Sequence, residues 1–105
     1  MVASDLLEEL KERLTVACGD RLRGVVLFGS EARGEARPDS DIDVLAVLET
    51  LTADYGDELE RCLAAVYPIA LRLGRRVSVK PLTREEFEQG DSPLLREVRR
   101  SGVAA

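Results

Sequence analysis

The stretch Val25-Val26-Leu27-Phe28-Gly29-Ser30, followed after ten residues by Asp41-Ile42-Asp43-Val44-Leu45-Ala46-Val47-Leu48, decides how the rest of the chain is read. Val25 to Phe28 is a continuous apolar run, short and rich in β-branched residues, which suits a buried strand better than a helix. Gly29-Ser30 stops it. In the second run, from Asp41 to about Leu48, the only charged interior position is Asp43, so two carboxylates stand at the start of a buried strand. An ionised carboxylate in a low-dielectric site is costly unless a cation offsets it. Alternation along a strand puts Asp41 and Asp43 on one face, about 6.6 Å apart, with Ile42 and Val44 turned to the core. Two carboxylates so placed suit one hard divalent cation. Upstream, Gly29 lets the backbone pass close to a ligand. Ser30 is placed to open a short helix through Arg33 whose free N–H groups point at an anion. Together these features fit a metal-chelated triphosphate.

Gly29-Ser30, ten residues, then Asp41-Ile42-Asp43 resembles the G-S, D-x-D pattern of the DNA polymerase beta-like nucleotidyltransferase superfamily. Ala32-Arg33-Gly34 and Ser40 are similar to its small branch of minimal nucleotidyltransferases, and the resemblance runs from about Gly24 to Leu82. It implies an α/β (α+β) fold with a small mixed sheet of three to four strands and helices mostly on one face. It implies that Asp41 and Asp43 hold Mg²⁺ as metal-binding catalytic acids. Gly29, Ser30, Arg33 and Ser40 would then form the nucleotide-binding set, with Gly29 and Ser30 on the outer phosphates of an NTP, ATP first among them. For Arg33 an ion pair with Glu35, Asp39 or Asp41 is an equal alternative to a phosphate contact.

A third acid, on the strand after the long helix, usually completes this pattern. By register that position is Ser78, and a serine hydroxyl neither balances a second Mg²⁺ nor acts as a base near neutral pH. Lys80, two residues on, shares its face and has an ammonium that could fill the missing metal's space. Glu49 and Asp39 are substitutes to be considered, though neither lies on the expected strand. Two readings therefore stand. One is Mg-dependent transfer of a nucleoside monophosphate, AMP first, to an acceptor hydroxyl, with a HEPN-type helical protein as an antitoxin-like partner. The other is a degenerate binding module that keeps the fold and masks a partner.

The chain's 105 residues suggest one domain, too small for a separate substrate-binding unit, so a pocket has to be shallow or completed by a second subunit or partner. Net charge is −5 and aromatic residues are 4%, which argues against nucleic acid as a partner because affinity there comes from basic and stacking side chains. There is no histidine, which excludes a histidine base or a His-type zinc site. Cys18 and Cys62 fall in apolar helical patterns and no export signal is recognisable, so reduced core thiols, a cytoplasmic location and no membrane association are expected.

Taken in order, leucines at 6, 7, 10 and 14 predict an amphipathic helix from Ser4 to Ala17, capped by Ser4 or Asp5. A first strand follows from about Leu22 to Phe28, with Gly24 marking a bend or close approach. Thr52 to Leu73 predicts a long helix with Leu59, Cys62, Leu63, Val66, Ile69, Ala70 and Leu73 on its apolar side. Pro68 should kink or split it, and Gly74 suits its end. Val77 to Leu82 alternates as a third strand. Thr83 and Glu86 have capping-box spacing, and Ser92-Pro93 starts a last helix closed by Gly102. Leu94, Leu95, Val98 and Val103 are expected to pack in the core. Arginine supplies most of the basic residues. The clusters Arg72, Arg75, Arg76 and Arg96, Arg99, Arg100 read as solvated helix ends, favoured there by the dipole.

Overall fold

The computed structural model describes residues 3–52 and 54–105. In chain order the elements are α1 (Ala3–Cys18), a 3-10 turn (Gly19–Arg21), β1 (Leu22–Phe28), a single helical turn α2 (Ser30–Arg33), β2 (Ile42–Leu48) and α3 (Tyr55–Leu73). They are followed by β3 (Val77–Thr83), α4 (Arg84–Gln89), α5 (Pro93–Ser101) and β4 (Val103–Ala104). The strands make one mixed sheet in the order β3-β2-β1-β4, as the α+β reading requires. β1 is antiparallel to β2 and β4, and β2 is parallel to β3. A parallel neighbour cannot be reached by a tight turn, and α3 supplies the crossover.

Alternation along the strands separates two apolar layers. Val25 and Leu27 of β1, Ile42, Val44, Ala46 and Leu48 of β2, and Val77 and Val79 of β3 face α1 and α3. Leu6, Leu7, Leu10 and Leu14 of α1 and Cys62, Val66 and Ile69 of α3 close over them, all buried. Each Val, Leu or Ile among them contributes about 1.5 to 3 kcal/mol when fully removed from water. Val26, Leu45, Val47 and Leu82 face the opposite way, under Leu95 and Val98 of α5. The two long helices thus share one face, and the short α4 and α5 cover part of the other.

Local signals account for the boundaries. Asp54 caps α3 by accepting from the N–H groups of Gly56 and Asp57, so the helix starts at Tyr55 and not at Thr52. Ala53, which the longer helical reading included, lies outside the described residues. Ser4 and Asp5 are already inside α1, which begins at Ala3. The Thr83 and Glu86 capping box is present in both directions, and the Ser92 hydroxyl accepts from the Leu95 N–H. The register of β1 with β2 shifts between Leu22 and Gly24, a local irregularity at the position expected to bend.

α3 departs from its reading at two positions: it is not split at Pro68, and Leu63 lies outside the core. The helix runs unbroken through Pro68, because Pro68 and Ala64, whose carbonyl loses its donor, are both exposed and water can serve that oxygen. Leu63 is not in the core either. It is exposed, while the buried stripe runs through Glu58, Cys62, Val66 and Ile69. No helix among the described residues is long and apolar enough to cross a membrane.

Candidate functional site

β1 ends where β2 begins, so the turn at Gly29 and the two acids meet at one end of the sheet. Phe28 pairs with Asp43 across the antiparallel ladder, and Asp43 pairs with Ser78 across the parallel one. Gly29 has φ 76° and ψ −152°, a conformation that is essentially glycine's alone. The position also leaves no room for a side chain. A Cβ at Gly29 would lie 2.6 Å from Asp43 Oδ2. The Asp43 carboxylate therefore rests directly on the backbone of the turn.

Beyond that turn, α2 is held by the Arg33 N–H donating to the Gly29 carbonyl at 3.2 Å and the Glu35 N–H donating to the Ser30 carbonyl at 2.9 Å. Gly34 closes it in the left-handed region, with φ 72°. The first N–H groups of such a turn have no acceptor within the helix and point past Ser30. Between α2 and β2, Arg37-Pro38-Asp39-Ser40 folds into a turn. The Ser40 N–H donates to the Arg37 carbonyl at 3.0 Å, and the Ser40 hydroxyl accepts from the Arg37 N–H at 2.9 Å. Ser40 thus shapes the approach to Asp41 and keeps its hydroxyl proton as a donor.

The two acids are not equivalent. β2 starts at Ile42, so Asp41 precedes the strand and is exposed, while Asp43 is half-buried within it. Burial pushes the Asp43 carboxyl above its ordinary range and the Asp41 charge adds to the effect; Arg33 and Arg76 partly counter it. Among the described residues neither acid takes part in an ion pair. Nor do three or more His, Cys, Asp or Glu side chains come together as a metal cluster there. What remains is a pair of carboxylates, of which Asp43 rests against the Gly29 turn.

Arg33 is ion-paired with Glu35 at 2.8 Å and Glu97 at 3.2 Å; the first partner was among the three read from the sequence, and the second comes from α5. Lys80 is exposed and lines a different cavity, with Tyr55, Pro81 and Glu86. The arginines acting on Asp43 are instead Arg33 and Arg76. Glu49 stands just past the far end of β2, held by Arg23 at 3.0 Å and Arg84 at 2.9 Å, too remote to replace a third acid. Ser78 lines a cavity of about 470 Å³ with Arg76, Leu63, Val66 and Tyr67.

Residues 3–103 match the family model for the nucleotidyltransferase domain. The chain belongs to this family. The nucleotidyltransferase domain is 36% identical over 47 residues to MJ0141 of Methanocaldococcus jannaschii, named as a candidate protein adenylyltransferase; that match spans 45% of this chain and 48% of the relative, about half of each. A spectinomycin adenyltransferase, AAD(9), from Enterococcus faecialis, solved with ATP and spectinomycin, superposes on 86% of the domain with a TM-score of 0.63 and 22% identity. The domain covers only 38% of that enzyme. A toxin-antitoxin structure with AMP-PNP superposes on 92% of the domain, and over 70% of its own chain, with a TM-score of 0.64 and 18% identity. At these identities the solved structures show the shared fold.

Proposed function

We propose that this nucleotidyltransferase domain transfers a nucleoside monophosphate, AMP first, from an NTP to an acceptor hydroxyl in a Mg²⁺-dependent reaction. The observation that supports the reading is the contact of Asp43 with the Gly29 turn, a carboxylate without an ion-pair partner among the described residues beside backbone that would receive the phosphates of a nucleotide. Mg²⁺ is commonly held by one or two carboxylates and completed by water and substrate phosphates, so Asp41 and Asp43 fit one such ion in company with the nucleotide. When bound, it would neutralise charge on the phosphoryl oxygens. Gly29, the Ser30 hydroxyl and the first N–H groups of α2 would bind the outer phosphates, and Arg33 would exchange a carboxylate partner for a phosphate oxygen. The acceptor oxygen forms a bond to the α-phosphorus, the bond from that phosphorus to the bridging oxygen breaks, and pyrophosphate leaves.

At the position where the resemblance expects a third acid to take the acceptor's proton, the chain has Ser78, which is not a base near neutral pH. That register supports a second reading, a degenerate module that binds nucleotide and masks a partner. A protein partner is part of either reading, since Leu63, Tyr67 and Leu71 form an exposed stripe on α3 that is 39%, 60% and 68% accessible. The toxin-antitoxin neighbours support a partner of that kind, HEPN-type proteins first. The buried free thiols of Cys18 and Cys62 suit a reducing, cytoplasmic setting.

Calorimetric titration of MgATP into wild type and Asp43→Ala tests the site, and transfer of label from α-labelled ATP tests the chemistry. Binding that needs Asp43 together with transfer supports the enzyme; binding that needs Asp43 without transfer supports the module. Equal binding by both proteins refutes the site.

A further inference from the structure

Arg75 follows α3 on backbone that is tightly fixed. Gly74 is left-handed, with φ 63°, the Arg75 N–H donates to the Ala70 carbonyl at 3.1 Å, and the Gly74 N–H donates to the Leu71 carbonyl at 3.4 Å. Together these bonds form the double helix-end closure that glycine allows. From this anchor the guanidinium reaches both halves of the site. Its Nε donates to the carbonyl of Ser40, the residue before Asp41, at 2.8 Å. Its Nη2 lies 2.6 Å from Oε1 of Glu31, the residue after Ser30. The next carbonyl, that of Arg76, accepts from the N–H of Ile42, between the two acids, at 2.8 Å.

Arg75 and Glu31 are only 14% and 15% accessible, so their attraction is screened less by water and salt than that of an exposed pair. Nη2 and Oε1 are close but not aligned as a hydrogen bond, and neither has another hydrogen-bond partner among the described residues. Their contact is therefore one of charge. Glu31 sits in the first turn of α2, the turn that would face a triphosphate, and an uncompensated carboxylate there repels an anion.

We propose that Arg75 is a positioning residue that ties the phosphate turn to the acid-bearing strand and cancels the charge of Glu31 beside the nucleotide's phosphates. The proposal rests on the reading of the site given above. Lysine is a poor substitute, because one ammonium cannot span the Ser40 carbonyl and Glu31 as a planar fork does.

The test is calorimetric titration of MgATP, MgADP and adenosine into wild type, Arg75→Met, Arg75→Lys, Glu31→Gln and Glu31→Gln/Arg75→Met, with a thermal melt of each and Asp43→Ala as control. Arg75→Met is expected to weaken MgATP about tenfold or more, MgADP less, and adenosine not at all, with Arg75→Lys intermediate. Removing Glu31 as well should restore part of the MgATP affinity, since no charge is left to cancel while the tie to the Ser40 carbonyl stays lost. A purely structural role would weaken all three ligands alike and would not be rescued by Glu31→Gln. That pattern, or unchanged MgATP binding by folded Arg75→Met, overturns the proposal. Should Arg75→Met not fold, Arg75→Lys is judged by the same dependence on phosphate number. Loss of binding in Asp43→Ala with none in the Arg75 variants rejects the role of Arg75 and keeps the site; undiminished binding in Asp43→Ala rejects both.

Discussion

Gly29→Ala offers a direct measure of how closely the Gly29 turn and the Asp43 carboxylate are fitted. The substitution acts twice. An alanine forced to φ 76° and ψ −152° carries backbone strain of about 1 to 3 kcal/mol. Its Cβ would also meet Asp43 Oδ2 at 2.6 Å, whereas Asp43 Cγ at 3.5 Å and Cβ at 3.6 Å are in ordinary contact, so relief needs only a rotation of the carboxylate. That rotation moves the side chain off its preferred angle for about 0.5 to 1.5 kcal/mol. The total expected loss is about 1.5 to 4.5 kcal/mol. In an Asp43→Ala background the clashing oxygen is gone and only the backbone part remains. Urea unfolding of the four proteins should therefore give a coupling energy of about 0.5 to 1.5 kcal/mol between the two positions. MgATP affinity should fall in Gly29→Ala because the displaced carboxylate no longer faces the turn. Equal cost in both backgrounds, or a Gly29→Ala protein with wild-type stability and affinity, would refute the contact on which the site is built.

Glu58 is fully buried and accepts from Arg21 at 2.5 and 3.1 Å, Arg61 at 2.7 Å and the Thr52 N–H at 3.3 Å. Glu58→Gln should cost about 1.5 to 3 kcal/mol by urea unfolding at pH 7, the range for hydrogen bonds to charged groups. Its Arg21 bonds chiefly hold the Glu58 carboxyl below the ordinary 4.5, so its stabilisation is full above that value and is lost as pH falls through the lower folded value; the difference between wild type and Glu58→Gln should shrink over that acid window and persist above it. Ser78→Asp places an acid opposite Asp43 and should raise label transfer from α-labelled ATP by up to about 10² to 10⁴, the usual worth of general-base assistance. Robust wild-type transfer left unchanged by Ser78→Asp would show that the base lies elsewhere.

The strands and helix caps were legible because each rests on short-range signals. Alternation set Val77 and Val79 inward, Thr83 and Glu86 had capping-box spacing, and the run from Val25 to Phe28 bore the density of β-branched residues a buried strand needs. Ser78 was singled out only through the family resemblance, as the position of a third acid, and the parallel pairing of β2 with β3 sets it beside Asp43. The arginines were not legible. Arg72, Arg75 and Arg76 look alike in sequence as a charged helix end, yet Arg72 pairs with Glu9, Arg75 spans Ser40 and Glu31, and Arg76 acts on Asp43. A long flexible cation takes its role from what lies within reach in space, and sequence spacing carries little of that. Glu58 did leave a trace, as an acid on the stripe it shares with Cys62, Val66 and Ile69, where burial demands a partner. The apolar side of α3 was read too broadly, since Leu63 fits helical spacing while lying just past the edge of the contact with the sheet.

The order β3-β2-β1-β4 leaves two outer strands, each a potential template for another chain's backbone. One of them, β4, is two residues long and offers little to pair with. On the other, β3, a strand added along Val77 and Ser78 next meets the exposed charge of Lys80 and then Pro81, which has no N–H to donate. Both margins are thus poor seeds for edge-to-edge growth. A chain that carries an exposed apolar stripe on α3 can in this way keep that surface for recognition through side chains, while its sheet is guarded against stacking into fibres.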